Sequence, residues 1–444
     1  MTASSYPPLG PLRSPSPPWA WADRGQNSLL DLVVVILGFV ILPLDFPAAQ
    51  PLRLPMTLCV LGYAGLHWRS LLPLLWQGRW VFMLPGYCFL SMLWADSPLS
   101  ALRHGGLITF TMIFAGLVAA RLDVRGITLA LFLSQGGLAL ASLTSMAVTW
   151  VGGLDGGWAV VGIFPHKNVL GQRMLFLILS AVAIITTRGY ASPLKLLAFG
   201  VVPLGLYLIA LSLSATAVIL LAGALPLALI LALLWRPALD VEGARSLIVL
   251  SGMVVMSLGL LFLMNGLGVD PVDDVLGAFG KDRSLTGRTD IWAVANDAIA
   301  KHPLLGVGAG NFWQADNYAA ARLASQFGVM GEQFYFHNLY YELMVHLGGL
   351  GLIIALYTYG RGVAMIVGDW WRRQRYAEPL FISLTSVFFI QSFTESELFN
   401  SLVLAPILFW VMVFSAIKSH GVARAESLAA IPPQKDLSPT ENGY

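Results

Sequence analysis

Apolar runs follow one another along this chain from residue 28 to residue 417, with one long polar interruption between residues 266 and 336. Such a pattern cannot be folded in water. The chain is 57% hydrophobic and only 11% charged, where a soluble domain is roughly a quarter charged. A helix needs roughly twenty mostly apolar residues to cross the hydrocarbon core of a bilayer, and that rule predicts about twelve spans. They fall near 28–45, 54–68, 80–95, 103–120, 126–150, 168–187, 194–211, 214–234, 246–265, 337–360, 377–394 and 397–417. The expected fold class is an all-α polytopic membrane protein with a large helix-bearing loop between spans nine and ten.

Lysine and arginine in the short connections set the orientation. The tails and even-numbered connections carry most of them, among them Arg24, Arg69, Arg79, Arg121, Arg125, Arg188, Lys195, Arg236, Arg361, Arg372 and Lys418. The odd-numbered connections carry Arg53, Arg103, and Lys167 with Arg173. Both termini are therefore expected in the cytoplasm, with an even number of spans. The domain plan is a cytoplasmic tail over 1–27, spans one to nine over 28–265, an extracytoplasmic loop over 266–336, the last spans over 337–417 and a second tail over 418–444. Both tails are polar and are expected to be disordered. The first apolar run has no A-x-A cleavage site after it and many spans beyond it, so it reads as an uncleaved helix.

Several functions are excluded early. A net charge of +2 gives no reason to expect a nucleic-acid partner. Cys59 and Cys88 lie singly in apolar runs, with neither metal spacing nor a disulfide framework. No Walker A, H-E-x-x-H or G-x-S-x-G motif is present. No ATP or nucleotide sugar reaches an extracytoplasmic loop, so chemistry there needs an activated donor delivered by the membrane.

Within the loop, Thr289 and Asp290 suit a helix start, and Ile291, Val294, Ala295, Ala298 and Ile299 form one apolar stripe ending before Pro303. Arg288 stands at that entrance, where guanidinium and free backbone N–H groups together suit a phosphate. On spacing alone a surface arginine paired with Asp290 or Asp282 is the more ordinary reading. The glycines of Gly306-Val307-Gly308-Ala309-Gly310 follow no strand, so they are expected to turn the backbone and let it approach a neighbour closely. A second short helix is expected over roughly 312–327. His337 opens the next span with Tyr341 one turn below. It is either a proton acceptor for a sugar hydroxyl or an interfacial cap.

On the same expected side, Pro165-His166-Lys167-Asn168 leads into the sixth span, and Arg173 lies inside that apolar helix. A charge there costs at least ~2.5 kcal/mol, so it is expected to face a polar cavity, with outward snorkelling as the alternative. His166 and Arg173 share a face, and Asn168 and Gln172 an adjoining one. Asp96, Arg103, His104, Glu395 and Glu397 flank other loops on this side. Each either joins the site or is a solvated loop charge. Asp31 and Gln135 are expected to be structural.

These pieces in this order resemble the O-antigen ligase/polymerase family. The resemblance is carried by Gly287-Arg288-Thr289-Asp290-Ile291-Trp292, by Lys301-His302-Pro303-Leu304-Leu305-Gly306-Val307-Gly308, and by His337-Asn338-Leu339-Tyr340-Tyr341-Glu342. Phe164-Pro165-His166-Lys167-Asn168-Val169-Leu170-Gly171 is similar to ExoQ-type exopolysaccharide polymerases. The match in motif order runs from about residue 160 to 400. It implies a GT-C-like glycosyltransferase in the bacterial inner membrane, acting on undecaprenyl-diphosphate-linked oligosaccharide and an acceptor glycan. No cofactor and no metal are implied, and inversion at the anomeric carbon is. Chain-length regulators and export proteins are further implied partners. Arg288 and His337 would be catalytic. Arg173, His166, Lys167, Asn168, Gln172, Asp290, Asn338 and Tyr341 would bind diphosphate or glycan. A ligase or oligosaccharyltransferase is the alternative within the family. A transporter or flippase is the alternative outside it, weakened by the lack of a two-fold repeat of hydropathy.

Overall fold

The computed structural model describes residues 27–44, 50–151, 157–235, 288–314, 316–327, 334–373 and 379–429, with a few positions between 241 and 250. The N-terminal tail, most of the ninth expected span, the loop opening from Gly266 to Gly287 and the last fifteen or so residues (about one short tail) lie outside the described residues.

Helix α1 spans Leu29–Ile41, closed at its start by a capping box between Ser28 and Asp31. Helices α2 (Gln50–Leu66) and α3 (Trp68–Gln77) follow, then α4 (Met83–Leu90), α5 (Pro98–Arg121) and α6 (Val124–Ser145). Pro98 sits in the first turn of α5, where its missing N–H costs nothing. Asp123 caps α6 by accepting from the Gly126 amide at 2.7 Å. Strands β1 (Val148–Val151) and β2 (Gly157–Val160) pair antiparallel, with Val148 opposite Val160. Then come α7 (Lys167–Thr186), α8 (Ser192–Ser212) and α9 (Ala215–Ile230). The remaining elements are α10 (Arg288–Lys301), α11 (Tyr318–Gln326), α12 (Leu339–Arg373), α13 (Pro379–Gln391) and α14 (Leu404–Ala429).

The protein is thus a helical polytopic membrane protein, and the expected dozen spans are reached only in part among the described residues. Among the described residues seven helices are long and apolar enough to cross, or eight if the bent α2–α3 pair counts as one. The runs expected at 28–45 and 377–394 supply only 13 helical residues each, about 20 Å at 1.5 Å per residue, short of a core about 30 Å thick. The run at 80–95 is a similarly short composite of α4 and two 3-10 turns. Between α2 and α3 the axis turns by 91° at His67. The helix expected over 126–150 stops at Ser145, where Met146 takes a left-handed φ of 42°. Val148-Thr149-Trp150-Val151 then form a strand, as β-branched and aromatic residues favour. At the far end α14 runs through Lys418 to Ala429, where a polar tail is expected from the sequence.

Helix α7 is the axis of the bundle. Its most apolar window is 83% buried, against 22% for α8 beside it, so α7 is apolar all round to suit a protein interior, and α8 turns one flank outward to an apolar solvent. Helices α5 and α14 pack together on the other side, and Lys418 donates to the terminal Ala119 carbonyl of α5 at 2.8 Å.

The segment after α10 is spliced into α12. Gly348 breaks α12 with φ 65° and ψ −169°, which frees carbonyls and amides inside a helix. Residues 303–308 fill the gap. Val307 and Gly308 donate to the Val345 and His346 carbonyls at 2.9 Å each, and Gly349 and Leu350 donate to the Pro303 and Leu304 carbonyls at 2.9 and 3.2 Å. A Cβ on Gly306 would lie 2.5 Å from the His346 carbonyl carbon, and one on Gly348 would lie 2.3 Å from that of Leu304. Both glycines also hold positive φ, so the close approach expected of the glycine run is present. Beside this splice, the apolar stripe of α10 builds a separate small core. Ile291 and Ala295 pack there with Phe312, Leu323, Phe336 and Val345.

Candidate active site

The entrance of α7, the start of α10, the start of α12 and the turn between α13 and α14 meet at one end of the bundle. At the centre stands Glu395, in that last turn. Its Oε1 accepts from Arg288 Nη2 at 3.3 Å, and its Oε2 faces His337 Nδ1 at 2.9 Å. Arg288 also donates through Nη1 to the Thr394 carbonyl at 2.8 Å. One carboxylate therefore gathers the two residues that the motifs single out.

Burial alone would raise the Glu395 carboxyl, but the hydrogen bond and charge of His337, then Arg288, then His166 outweigh it and hold it below the usual range. An ionised Glu395 accepts only, so the bond assigns the proton to His337 Nδ1. In the neutral tautomer that this bond selects, Nε2 carries the lone pair. His337 itself sits at φ 50°, in the left-handed region, which costs a non-glycine residue about 1–2 kcal/mol. Its neighbours hold it there. Leu339 N donates to the Ser392 carbonyl at 2.9 Å and Asn338 Nδ2 to the Phe393 carbonyl at 3.1 Å. Asn27, Met146, Leu213 and Leu402 share this backbone region, and among these residues His337 alone contacts Glu395.

Behind Glu395 lies Glu397, to which Gln172 donates a short hydrogen bond. Burial pushes the Glu397 carboxyl up to about 7. The Gln172 bond lowers it, the charge of Glu395 raises it, and Arg173 and His337 lower it. Arg173 is 2% exposed. Its Nη2 reaches the Pro43 carbonyl at 3.4 Å and its guanidinium lies 5.9 Å from the Phe164 ring centre. Nε and Nη1 are buried with no partner among the described residues. Arg173 is therefore buried in the protein and does not snorkel outward.

The other residues singled out in the sequence fall into two groups. Gln172 and His166 belong near the carboxylates, His166 also capping α7 by accepting from the Asn168 amide at 3.2 Å. The rest tie the frame together. Lys167 Nζ donates to the Leu213 carbonyl at 3.0 Å, and Asn168 Oδ1 accepts from Ser214 at 3.0 Å, joining α7 to the α8–α9 turn. Asn338 Oδ1 accepts from the Tyr340 and Tyr341 amides as the cap of α12. Tyr341 stacks on Trp292 at 5.5 Å, fastening α12 to α10. Asp290 is exposed and accepts from Gln326 at 3.3 Å, so it is not gathered around Glu395.

Glu395 is what sequence reasoning left undecided. It lies 58 residues from His337, and no local period links them. A second buried carboxylate, Glu342, was legible only as part of a motif. It pairs with His346 four residues on, an i,i+4 spacing that a helical reading does expose.

Comparison with known proteins agrees with the motifs. Residues 199–356 match the family model described as O-antigen ligase, a stretch that contains Arg288 and His337 but neither Arg173 nor Glu395. The chain is 31% identical over 281 residues to the exopolysaccharide production protein ExoQ of Rhizobium meliloti (strain 1021). That stretch is 62% of this chain and 62% of the relative, so it spans less than two thirds of either. The resemblance read from the motifs is thus supported: over these stretches this multi-pass membrane protein is similar to the O-antigen ligase family and to an ExoQ exopolysaccharide production protein.

Proposed function

We propose that this chain joins undecaprenyl-diphosphate-linked oligosaccharide repeats into exopolysaccharide or O-antigen, by metal-independent, inverting glycosyl transfer on the extracytoplasmic face of the bacterial inner membrane. The observation that carries the reading is the Arg288–Glu395–His337 constellation, with the buried Arg173 nearby. His337 Nε2 takes the proton of an acceptor hydroxyl while that oxygen attacks the anomeric carbon. The bond from the anomeric carbon to the phosphate oxygen breaks, and the lipid diphosphate leaves with the electron pair. Glu395 balances the imidazolium that forms, as the carboxylate of a hydrolase triad does.

The leaving diphosphate needs donors. Arg288 offers a guanidinium at the start of α10, and Arg173 offers two buried N–H groups that no described residue satisfies. An anion in reach of Arg173 supplies the missing acceptors and relieves the cost of an unpaired buried charge. The arginine bias of the loops supports a location of this end of the bundle outside the cytoplasm, where a lipid-borne donor is the available activated sugar.

A ligase reading has its own support, since the matched family model is described as O-antigen ligase, whereas the full-length relative is named for exopolysaccharide production. Deleting the gene and analysing lipid-linked intermediates separates the readings. Loss of polymer with single repeats accumulating on the lipid is the expected result. Full-length polymer stranded on its carrier would establish the ligase, and repeats trapped on the cytoplasmic leaflet would sink both.

A further inference from the structure

His337 is delivered to Glu395 by a second, deeper set of side chains. The residue immediately before it, Phe336, is held through both of its backbone polar groups. The Phe336 amide donates to Glu342 Oε2 at 2.9 Å, and the Phe336 carbonyl accepts from Trp292 Nε1 at 2.9 Å. Glu342 is 2% exposed, and its Oε1 is occupied twice, by Trp313 Nε1 at 2.8 Å and by His346 Nε2 at 3.2 Å. His346, also 2% exposed, turns Nδ1 to the Gly308 carbonyl at 3.2 Å.

Donors and acceptors can be counted in this group. A carbonyl accepts only, and so does a carboxylate. Both nitrogens of His346 face such oxygens, so Glu342 and His346 must hold one proton between them, on the ring or on the carboxyl. Every polar atom of the group is then satisfied. A fully paired buried network fixes its members in one geometry, and this one ends on the peptide that leads into the left-handed turn at His337. Its other end is the spliced segment at Gly308.

We propose that Glu342 and His346 are a positioning pair for His337. They touch no reacting atom and set the imidazole against Glu395 by fixing the Phe336 peptide. The proposal rests on the catalytic role given above to His337.

The test uses the full-length protein in proteoliposomes with lipid-linked repeat donor, and reads kcat, KM, the pH profile and thermal stability together. Glu342→Gln cannot satisfy every partner, since Trp313 or the Phe336 amide then faces an N–H. Its kcat is expected to fall about tenfold or more with donor KM within about twofold, as lost positioning does. The acid limb of its pH profile should move by about half a unit, as the His337–Glu395 contact changes. Adding Trp313→Phe removes the conflicting donor. The amide oxygen then serves Phe336 and the amide nitrogen serves a neutral His346. Activity should return in the double variant, which a carboxylate needed for chemistry would not allow. A Glu342→Gln kcat within twofold of wild type, or a loss that thermal stability alone accounts for, overturns the proposal. A readout free of chemistry separates it from the function on which it rests. In the full-length protein, the backbone amides of Phe336 and His337 should exchange with deuterium faster in Glu342→Gln than in the wild type, as the Phe336 amide loses its acceptor. Equal rates overturn the positioning pair, whereas a fully active His337→Ala overturns the catalytic reading.

Discussion

At the end of the bundle away from His337, Asp31 is fully buried and receives Arg121 through Nε at 2.7 Å and Nη2 at 3.0 Å, together with Tyr63 at 2.7 Å and Ser28 at 2.6 Å. At the near end, Arg173 is just as buried, yet two of its nitrogens face no partner among the described residues, and Glu397 beside it is poised near neutrality. Both groups are arginine with carboxylate, one packed by α1, α2 and α5 and the other by α7 and the α13–α14 turn. One is closed upon itself, and its whole interaction energy goes into holding α1, α2 and α5 together. The other is left incomplete, at a cost in stability that a bound anion would recover.

The largest expected difference is in turnover. Arg288→Ala and His337→Ala should each lower transfer at least about a thousandfold, while membrane abundance stays at the wild-type level. Asp31→Ala should do the reverse. It strands Arg121, costs about 3–5 kcal/mol in thermal or denaturant unfolding, and leaves turnover per folded molecule near normal. Equal loss of turnover at both ends would dissolve the contrast. Arg173→Leu sharpens it further. Removing an unpaired buried charge should raise the unfolding midpoint while turnover drops about tenfold to a hundredfold, so stability and activity move in opposite directions.

The smallest effect is a pH dependence. Glu397 is neutral below about 7 and charged above it. Ionisation adds negative charge where a diphosphate is to be held, so donor KM should rise several-fold between pH 6.5 and 8, roughly as one extra like charge at short range requires. In Glu397→Gln that rise should vanish. The same shift costs stability. Because the folded carboxyl resists ionisation, stability falls as pH climbs from the ordinary glutamate value of 4.5 to about 7 and is level beyond.

How much of this was readable beforehand varies with the distance over which the information acts. Hydropathy located the cores of α5 to α9, because a run of apolar residues is itself the signal. It misjudged α1, α4 and α13, whose apolar runs are bordered by residues that end the helix early. It missed β1 and β2, where Val148-Thr149-Trp150-Val151 is as apolar as a helix end and differs only in side-chain shape. The motif residues Arg288, His337 and Arg173 were visible because a charge or imidazole at a helix entrance or inside a span is unusual. Glu395 was not, since a glutamate in a short loop is ordinary until three helix ends are folded around it. Lys167 and Asn168 read as ligands. In the structure Lys167 Nζ and Asn168 Oδ1 each bond to the α8–α9 turn, a long-range contact that no local pattern announces.

The splice at Gly306 and Gly348 also imposes an order on biogenesis. Residues 303–308 leave the ribosome before α12 does, and α12 cannot settle at membrane depth with the groups around its break unpaired, each costing several kcal/mol in hydrocarbon. The loop must therefore be in place as α12 arrives, so the last step in inserting that helix is also the step that brings His337 to its working position.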